Sequence, residues 1–213
     1  INFVKVSPLE LMILIDDFIS GFSSHFPEQQ SWQPWEVTDC LKEIIRIRLL
    51  QLGDDYEITD EVAVHKTAVV ETGAVLKSPA IIGPDCVVGA HAYFREGVFL
   101  DQSVKIGPGC EIKNSIIFSG TAIAHFNYVG NSIIGRNVNF EAGSIAANHY
   151  NERENKRISV LYRGEVIDTR VNKFGSLVGD GSRIGANAVL SPGTILECNS
   201  IVRRLELVEQ LKS

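Results

Sequence analysis

This sequence predicts an all-β solenoid, a parallel β-helix with three walls, carrying a helical N-terminal cap and a short C-terminal helix. Three observations predict it. An apolar residue recurs at every sixth position, a second small or apolar column follows four positions behind it, and turn-forming residues come straight after the first column.

The first column runs Ile58, Val64, Val70, Leu76, Ile82, Val88, Phe94, Leu100, Ile106, Ile112 and Phe118, followed by Ala124. The second runs Val62, Ala68, Ala74, Ala80, Cys86, Ala92, Val98, Val104, Cys110, Ile116 and Ala122. A period of six cannot be helical, because turns of about 3.6 residues would smear it around the surface. Gly83, Gly89, Asp101 and Gly107 follow column residues and tolerate the dihedrals of a corner. Each hexapeptide then forms one flat wall, three walls make a coil, and coils stack about 4.8 Å apart by parallel pairing.

The beat breaks after Ala124, where the column is expected to pass through Val129, Ile134, Phe140 and Ala146, and it resumes at Val178, Ile184, Leu190, Leu196 and Val202. Residues 149–175 therefore read as a long loop thrown out from the solenoid, with a hairpin through 157–170; such loops are usually functional. Three parts follow: a helical cap over 1–55, the β-helix over 56–202, and a C-terminal helix over 203–213. Ser7-Pro8-Leu9-Glu10 is a capping box that opens a helix to about Ser23. A second helix is expected from Pro34 to Leu52, stopped by Gly53. The cap is expected to cover the open end of the solenoid, where unpaired strands invite aggregation.

Composition narrows the function. Net charge is −6, which offers no basic footprint for nucleic acid or an anionic membrane. No apolar run is long enough to insert in a bilayer, and Ile1-Asn2-Phe3-Val4-Lys5 has no secretory design. The chain begins without Met, so a trimmed start is expected. Four cysteines without a CxxC pair predict neither disulfide framework nor metal site, and a cytoplasmic setting.

Residues eighteen apart stack vertically, which aligns Lys77, Arg95 and Lys113 at one corner. Like charges about 4.8 Å apart repel unless the side chains splay or an anion bridges them, and phosphate matches Arg95 and Lys113. His125 lies in Ala124-His125-Phe126-Asn127-Tyr128, where the register slip is expected to open a notch, with Asn127, Tyr128 and Asn139 near it. A neutral imidazole there can take a proton during nucleophilic attack. Other candidates fall away: there is no glycine-rich phosphate loop, Cys86 and Cys110 belong to the core, Ser119 and Ser144 lack a His–Asp partner, and His65, His91 and His149 decorate turns.

The stretch from Ala124 through Gly135, continuing Asn137-Val138-Asn139-Phe140-Glu141-Ala142-Gly143-Ser144-Ile145-Ala146-Ala147-Asn148, resembles the acetyltransferase half of bifunctional glucosamine-1-phosphate acetyltransferase/uridyltransferases. It is closer still to archaeal sugar-1-phosphate nucleotidyltransferases with an acetyltransferase domain. The resemblance covers roughly 58–202 and implies a left-handed coil, an exception to right-handed crossovers. It also implies a homotrimer and acetyl-CoA as acyl donor for an amino-sugar phosphate or a nucleotide-linked amino sugar. Residue by residue, it implies Arg95 and Lys113 on the phosphate, His125 as general base, and Tyr128 and Asn139 on the sugar. Asn148 comes near the acetyl group, Lys156 adds a phosphate contact after a two-residue insertion, and Ala142 and Ala186 lie along CoA. Two departures stand near the acyl donor: Glu141 in place of Gly, and His149 in place of an aromatic residue. The nucleotidyltransferase part has no counterpart here, so its reaction is not expected of this chain. Two alternatives stay open, an O-acyltransferase of the lipid A type using acyl carrier protein and a non-catalytic hexapeptide scaffold.

Overall fold

The computed structural model describes residues 12–211. From Val62 onward the chain winds as a three-walled parallel β-helix. Wall A holds Val62–His65, Ala80–Ile82, Val98–Leu100, Ser115–Ile117, Ile133–Ile134, Ser176–Val178 and Thr194–Leu196, with Tyr56–Thr59 added antiparallel at its edge. Wall B climbs from Val69–Val70 to Ile201–Val202, and wall C from Val75–Leu76 to Leu207–Val208. Column residues such as Ile82, Val88, Phe94, Ile106 and Phe140 fill the prism and are fully buried.

The register departs from the expected column in one place. On wall C, Leu76 pairs with Phe94 and Phe94 with Ile112, a full eighteen-residue circuit each time. The next coil is one residue shorter: Leu100 pairs with Ile117, Ile106 with Ile123, and Ile112 with Val129. The inner column thus passes through Ile117 and Ile123, not Phe118 and Ala124. The slip lies at Asn114, well before His125, so no notch opens beside the histidine. Asn114 turns the shortened corner at φ +48°, and Asn131 repeats it one coil up at +45°; asparagine accepts this left-handed region more readily than most residues. Phe118 mimicked the column because it is buried for another reason. It lies outside the prism, 6.1 Å from the Phe22 ring and 6.2 Å from Phe26.

That outer cluster is a second core. The mid-strand residues of wall A, Ile81, Phe99, Ile116, Ile133, Leu177 and Ile195, point outward and are covered by Phe18, Phe22, Phe26, Trp35, Leu41 and Ile45. Wall A is apolar on both faces, as a sheet sandwiched between layers must be. The N-terminal segment therefore packs along the flank of wall A and does not lie across the open end as expected. The start of the first expected helix lies outside the described residues. Over 12–23 there is a 3-10 turn at Ile15–Asp17 and then the short α1 (Phe22–His25), separated by Gly21 at φ +76°. The second forms as α2 (Pro34–Asp39) and α3 (Leu41–Leu49), broken at Cys40.

No helix forms over 203–211. The hexad simply continues from Leu196 and Val202 to Val208, and Leu207–Val208 pairs with Val189–Leu190 on wall C. Between Ala146 and Ser176 the chain leaves the prism and folds a hairpin, Ser159–Tyr162 against Glu165–Asp168, turned by Arg163-Gly164 at positive φ. Ile158, Val160 and Tyr162 join the wall A core, with Tyr162 6.1 Å from the Phe18 ring.

This sandwich can be measured. Phe118→Ala should cost about 3–5 kcal/mol, seen as an earlier denaturation midpoint when the fluorescence of Trp32 and Trp35 is followed. An unmoved midpoint would show that the helical layer does not depend on wall A.

Candidate active site

Arg95 and Lys113 follow the paired column residues Phe94 and Ile112, and so stack at the corner where wall C turns into wall A. The Arg95 N–H donates to the Ile112 carbonyl at 2.9 Å. Arg95 Nη1 reaches Glu111 Oε1 at 3.3 Å, and Lys77, one coil below, lies over the Tyr93 ring at 5.4 Å. Burial holds the Lys113 ammonium below the usual lysine range, aided by the charges of Lys173 and Arg95.

Tyr128 begins the next wall C strand, directly over Glu111. Its hydroxyl and the Asn148 side chain close around Gly130, where a β-carbon would meet Tyr128 Oη at 2.5 Å and Asn148 Cγ at 2.9 Å. A larger residue there would push the Tyr128 and Asn148 side chains apart. Asn148 is buried and donates from Nδ2 to Asn131 Oδ1 at 2.6 Å. Burial, reinforced by the Glu111 charge, raises the Tyr128 phenol above its ordinary range, so it stays a neutral donor.

His125 occupies the other end of wall C, on the corner arriving from wall B. Its carbonyl accepts the Gly143 N–H at 2.8 Å and Asn127 Nδ2 at 3.2 Å, while Asn127 Oδ1 holds the Ser144 N–H at 2.7 Å. The backbone is thus fixed while the imidazole is exposed, with no hydrogen bond among the described residues. Ala142 stacks above His125 and Ala186 above Ala142, since the Asn187 N–H donates to the Ala142 carbonyl at 3.0 Å. On two levels of this corner an acid caps the amide one coil up, Glu71 accepting the Ala90 N–H at 2.7 Å and Glu141 the Ala186 N–H at 2.8 Å, whereas Gly89, Gly107 and Gly185 hold the same position without a side chain. At the level of His125 the capping position is Ala124, which has no acceptor. The Ala142 N–H makes no hydrogen bond among the described residues.

Glu141 also forms a forked pair with Arg204, at 2.7 Å to Nε and 2.9 Å to Nη2. Those bonds, first the Arg204 hydrogen bond and then the Ala186 amide, pull its carboxyl down to about 2. A depressed carboxyl contributes stability above its unfolded pKa and loses it as pH falls through the folded one. The pair should therefore persist down to about pH 2, and carboxyl-carbon NMR of Glu141 checks it. A midpoint in the ordinary glutamate range would show that the pair is absent in solution.

The structure brings Arg95, Lys113, Tyr128 and Asn148 together on wall C and its corner, and His125, Ala142 and Ala186 on the next. Asn139 lies on wall B between Ala122 and Arg183, in an open groove with Glu141, Arg203 and Arg204. Lys156 is exposed on the loop and makes no hydrogen bond or ion pair among the described residues. Lys173 and Glu111 escaped sequence reading. Glu111 could have been found from its position two residues before Lys113, whereas Lys173 follows a hairpin with no period to place it. Cys86 and Cys110 line the prism interior, and burial pushes the Cys86 thiol up to about 11. Among the described residues no cluster of His, Cys, Asp or Glu could hold a metal ion, and no helix is long and apolar enough to cross a membrane.

Fold and corners together define a hexapeptide-repeat β-helix that gathers a cation pair, a Tyr–Asn pair and a histidine on its outer surface. No protein-family model matches the chain. It is 31% identical over 167 residues to a bifunctional sugar-1-phosphate nucleotidylyltransferase/acetyltransferase of Sulfurisphaera tokodaii, covering 76% of this chain and 41% of that protein. It is 34% identical over 173 residues to the bifunctional protein GlmU of Methanococcus maripaludis, covering 79% and 41%. A hexapeptide transferase family protein from Anaplasma phagocytophilum aligns in structure over 66% of this chain and 72% of that one, at 19% identity and a TM-score of 0.49. The chain thus spans about two fifths of the length of these curated relatives. Their names match the kind of enzyme that residues 124–148 resemble.

Proposed function

We propose that this chain transfers an acetyl group from acetyl-CoA to the amine of a phosphorylated amino sugar, as a homotrimer in the cytoplasm, where acetyl-CoA is available. Arg95 and Lys113 hold the phosphate, and Tyr128 and Asn139 approach the sugar from walls C and B. His125 accepts the proton that the amine loses as its lone pair attacks the thioester carbonyl, and the CoA thiolate leaves. The uncapped Ala142 N–H donates to the oxyanion formed in that step. The small side chains of Ala142 and Ala186 leave a strip above His125 along which the acyl donor lies; Asn148, on the cation corner of its own protomer, comes near the reacting end from a neighbouring subunit. An open prism wall excludes little water, so the site is completed by a neighbouring subunit; Lys156 joins only if that subunit's loop closes over the corner.

One observation carries this reading: the cation pair and the histidine with its free amide stand on the two corners bounding wall C, with Tyr128 between. The test is release of CoA thiol from acetyl-CoA over a panel of amino-sugar 1-phosphates and UDP-linked amino sugars. Turnover confined to phosphorylated amines supports the reading. Absence of turnover on all of them overturns it, and turnover only with a long-chain acyl carrier protein would move the chain to O-acyl transfer.

A further inference from the structure

The residue after His125 differs from its kind elsewhere in the chain. Every other described phenylalanine is buried, whereas Phe126 is 74% exposed. It turns the corner at a left-handed φ of +54°, a position held on other coils by Gly73, Gly109, Gly143 and Asn187 and also by His91 and Leu205. Bulky side chains accept that region poorly. A single exposed apolar residue needs no explanation by itself; the position of this one supplies a reason.

The ring has a seat. The Phe126 N–H donates to the Pro108 carbonyl at 3.2 Å, and the ring turns down onto Gly109, where a β-carbon would fall 2.7 Å from Cδ1 and 2.8 Å from Cε1. His91 uses Gly73 in the same way two coils lower, so the seat belongs to the corner and the apolar ring to this level. His125 and Phe126 are consecutive and both exposed. The proposed acyl donor runs upward from His125 along Ala142 and Ala186. The ring lies on the coil below, on the side left to the acceptor. Gly109 also opens the rung that ends in Lys113, through the strand Glu111–Lys113. A subunit related by an axis along the prism keeps its rungs level, which sets a neighbour's Lys113 at the height of this ring.

We infer that Phe126 is an acceptor-binding residue, a platform for the C–H face of the amino-sugar ring whose phosphate Arg95 and Lys113 hold. A pyranose carries hydroxyls around its rim and C–H bonds on its faces, and an aromatic face complements the latter. Gly109 supports one side of the phenyl ring and leaves the other free, so the sugar meets a group that is already placed. The inference rests on the proposed reading of a phosphorylated amino sugar and adds the residue that reads the sugar ring, not its phosphate.

The test titrates glucosamine 1-phosphate, galactosamine 1-phosphate and inorganic phosphate calorimetrically into the whole protein. Wild type is compared with Phe126→Gly, which suits the left-handed φ and removes the ring, and with Phe126→Tyr, which keeps it. The ring is exposed, so both variants should fold normally. Phe126→Gly should bind the amino-sugar phosphate that wild type prefers about tenfold more weakly and leave inorganic phosphate unchanged. Phe126→Tyr should restore most of the loss. Unchanged affinity for the sugar phosphate, or equal weakening of inorganic phosphate, overturns the inference. So does a smaller assembly of Phe126→Gly by light scattering, which would make the ring a subunit contact. If wild type binds neither sugar phosphate, the platform and the phosphorylated acceptor fall together. Binding that depends on Phe126 without any acetyl transfer would sink the proposed reaction and leave the platform standing.

Discussion

Replacing His125 with alanine should lower acetyl transfer by about two to four orders of magnitude without shifting the denaturation midpoint. The attacking amine must shed a proton as it bonds to the thioester carbon. Below the free Ala142 N–H the exposed His125 imidazole makes no hydrogen bond among the described residues, so its ring nitrogen is open to accept it. The corner itself does not depend on the ring. It is held by the His125 carbonyl, which accepts the Gly143 N–H and Asn127 Nδ2, and both bonds survive the substitution. Thiol release read alongside chemical denaturation distinguishes lost chemistry from lost structure. Full turnover in the folded variant would remove His125 from the reaction.

Lys113→Ala should raise KM for the phosphorylated amino sugar by about ten- to a hundredfold, the size of a lost charge-assisted hydrogen bond. The effect on kcat should be far smaller, because the phosphate sits away from the bond being made. It should also depend on pH. The Lys113 ammonium is held below the ordinary lysine range, so wild-type affinity should fall as alkaline pH deprotonates it, earlier than for an exposed lysine. Lys113→Ala should lack this alkaline limb and already bind weakly at neutral pH. The check is KM against pH for both proteins, and a parallel loss toward the unphosphorylated amino sugar would contradict a phosphate role.

Legibility in the sequence followed the geometry of the coil. Wherever one residue type recurs at a fixed step, as in Phe94, Ile112 and the Arg95–Lys113 stack behind them, register could be read before any coordinates. It failed where a residue was apolar for a reason outside that repeat. Phe118 looked like a column residue because the helical layer buries it from outside, and Asn114, which actually shortens the coil, looks like any polar turn residue. The two-sided burial of wall A was written in runs such as Ala80-Ile81-Ile82 and Val98-Phe99-Leu100, whereas walls B and C show pairs such as Val87-Val88 and Tyr93-Phe94. The C-terminal residues look helical because Arg203, Arg204 and Glu206 put charge between the column residues Val202 and Val208 and mask the last hexad. Lys173 had no sequence signal at all: its place depends on how far the hairpin carries the chain before Phe174 locks it back.

A crystal structure with a phosphorylated amino sugar and CoA bound tests the central claim most directly. The phosphate should bridge Arg95 and Lys113 on one corner, with the sugar nitrogen about 2.6–3.2 Å from a His125 imidazole of the same or a neighbouring subunit. A phosphate seated instead in the wall B groove beside Arg183 and Arg203, with the amine turned from every His125, would contradict it.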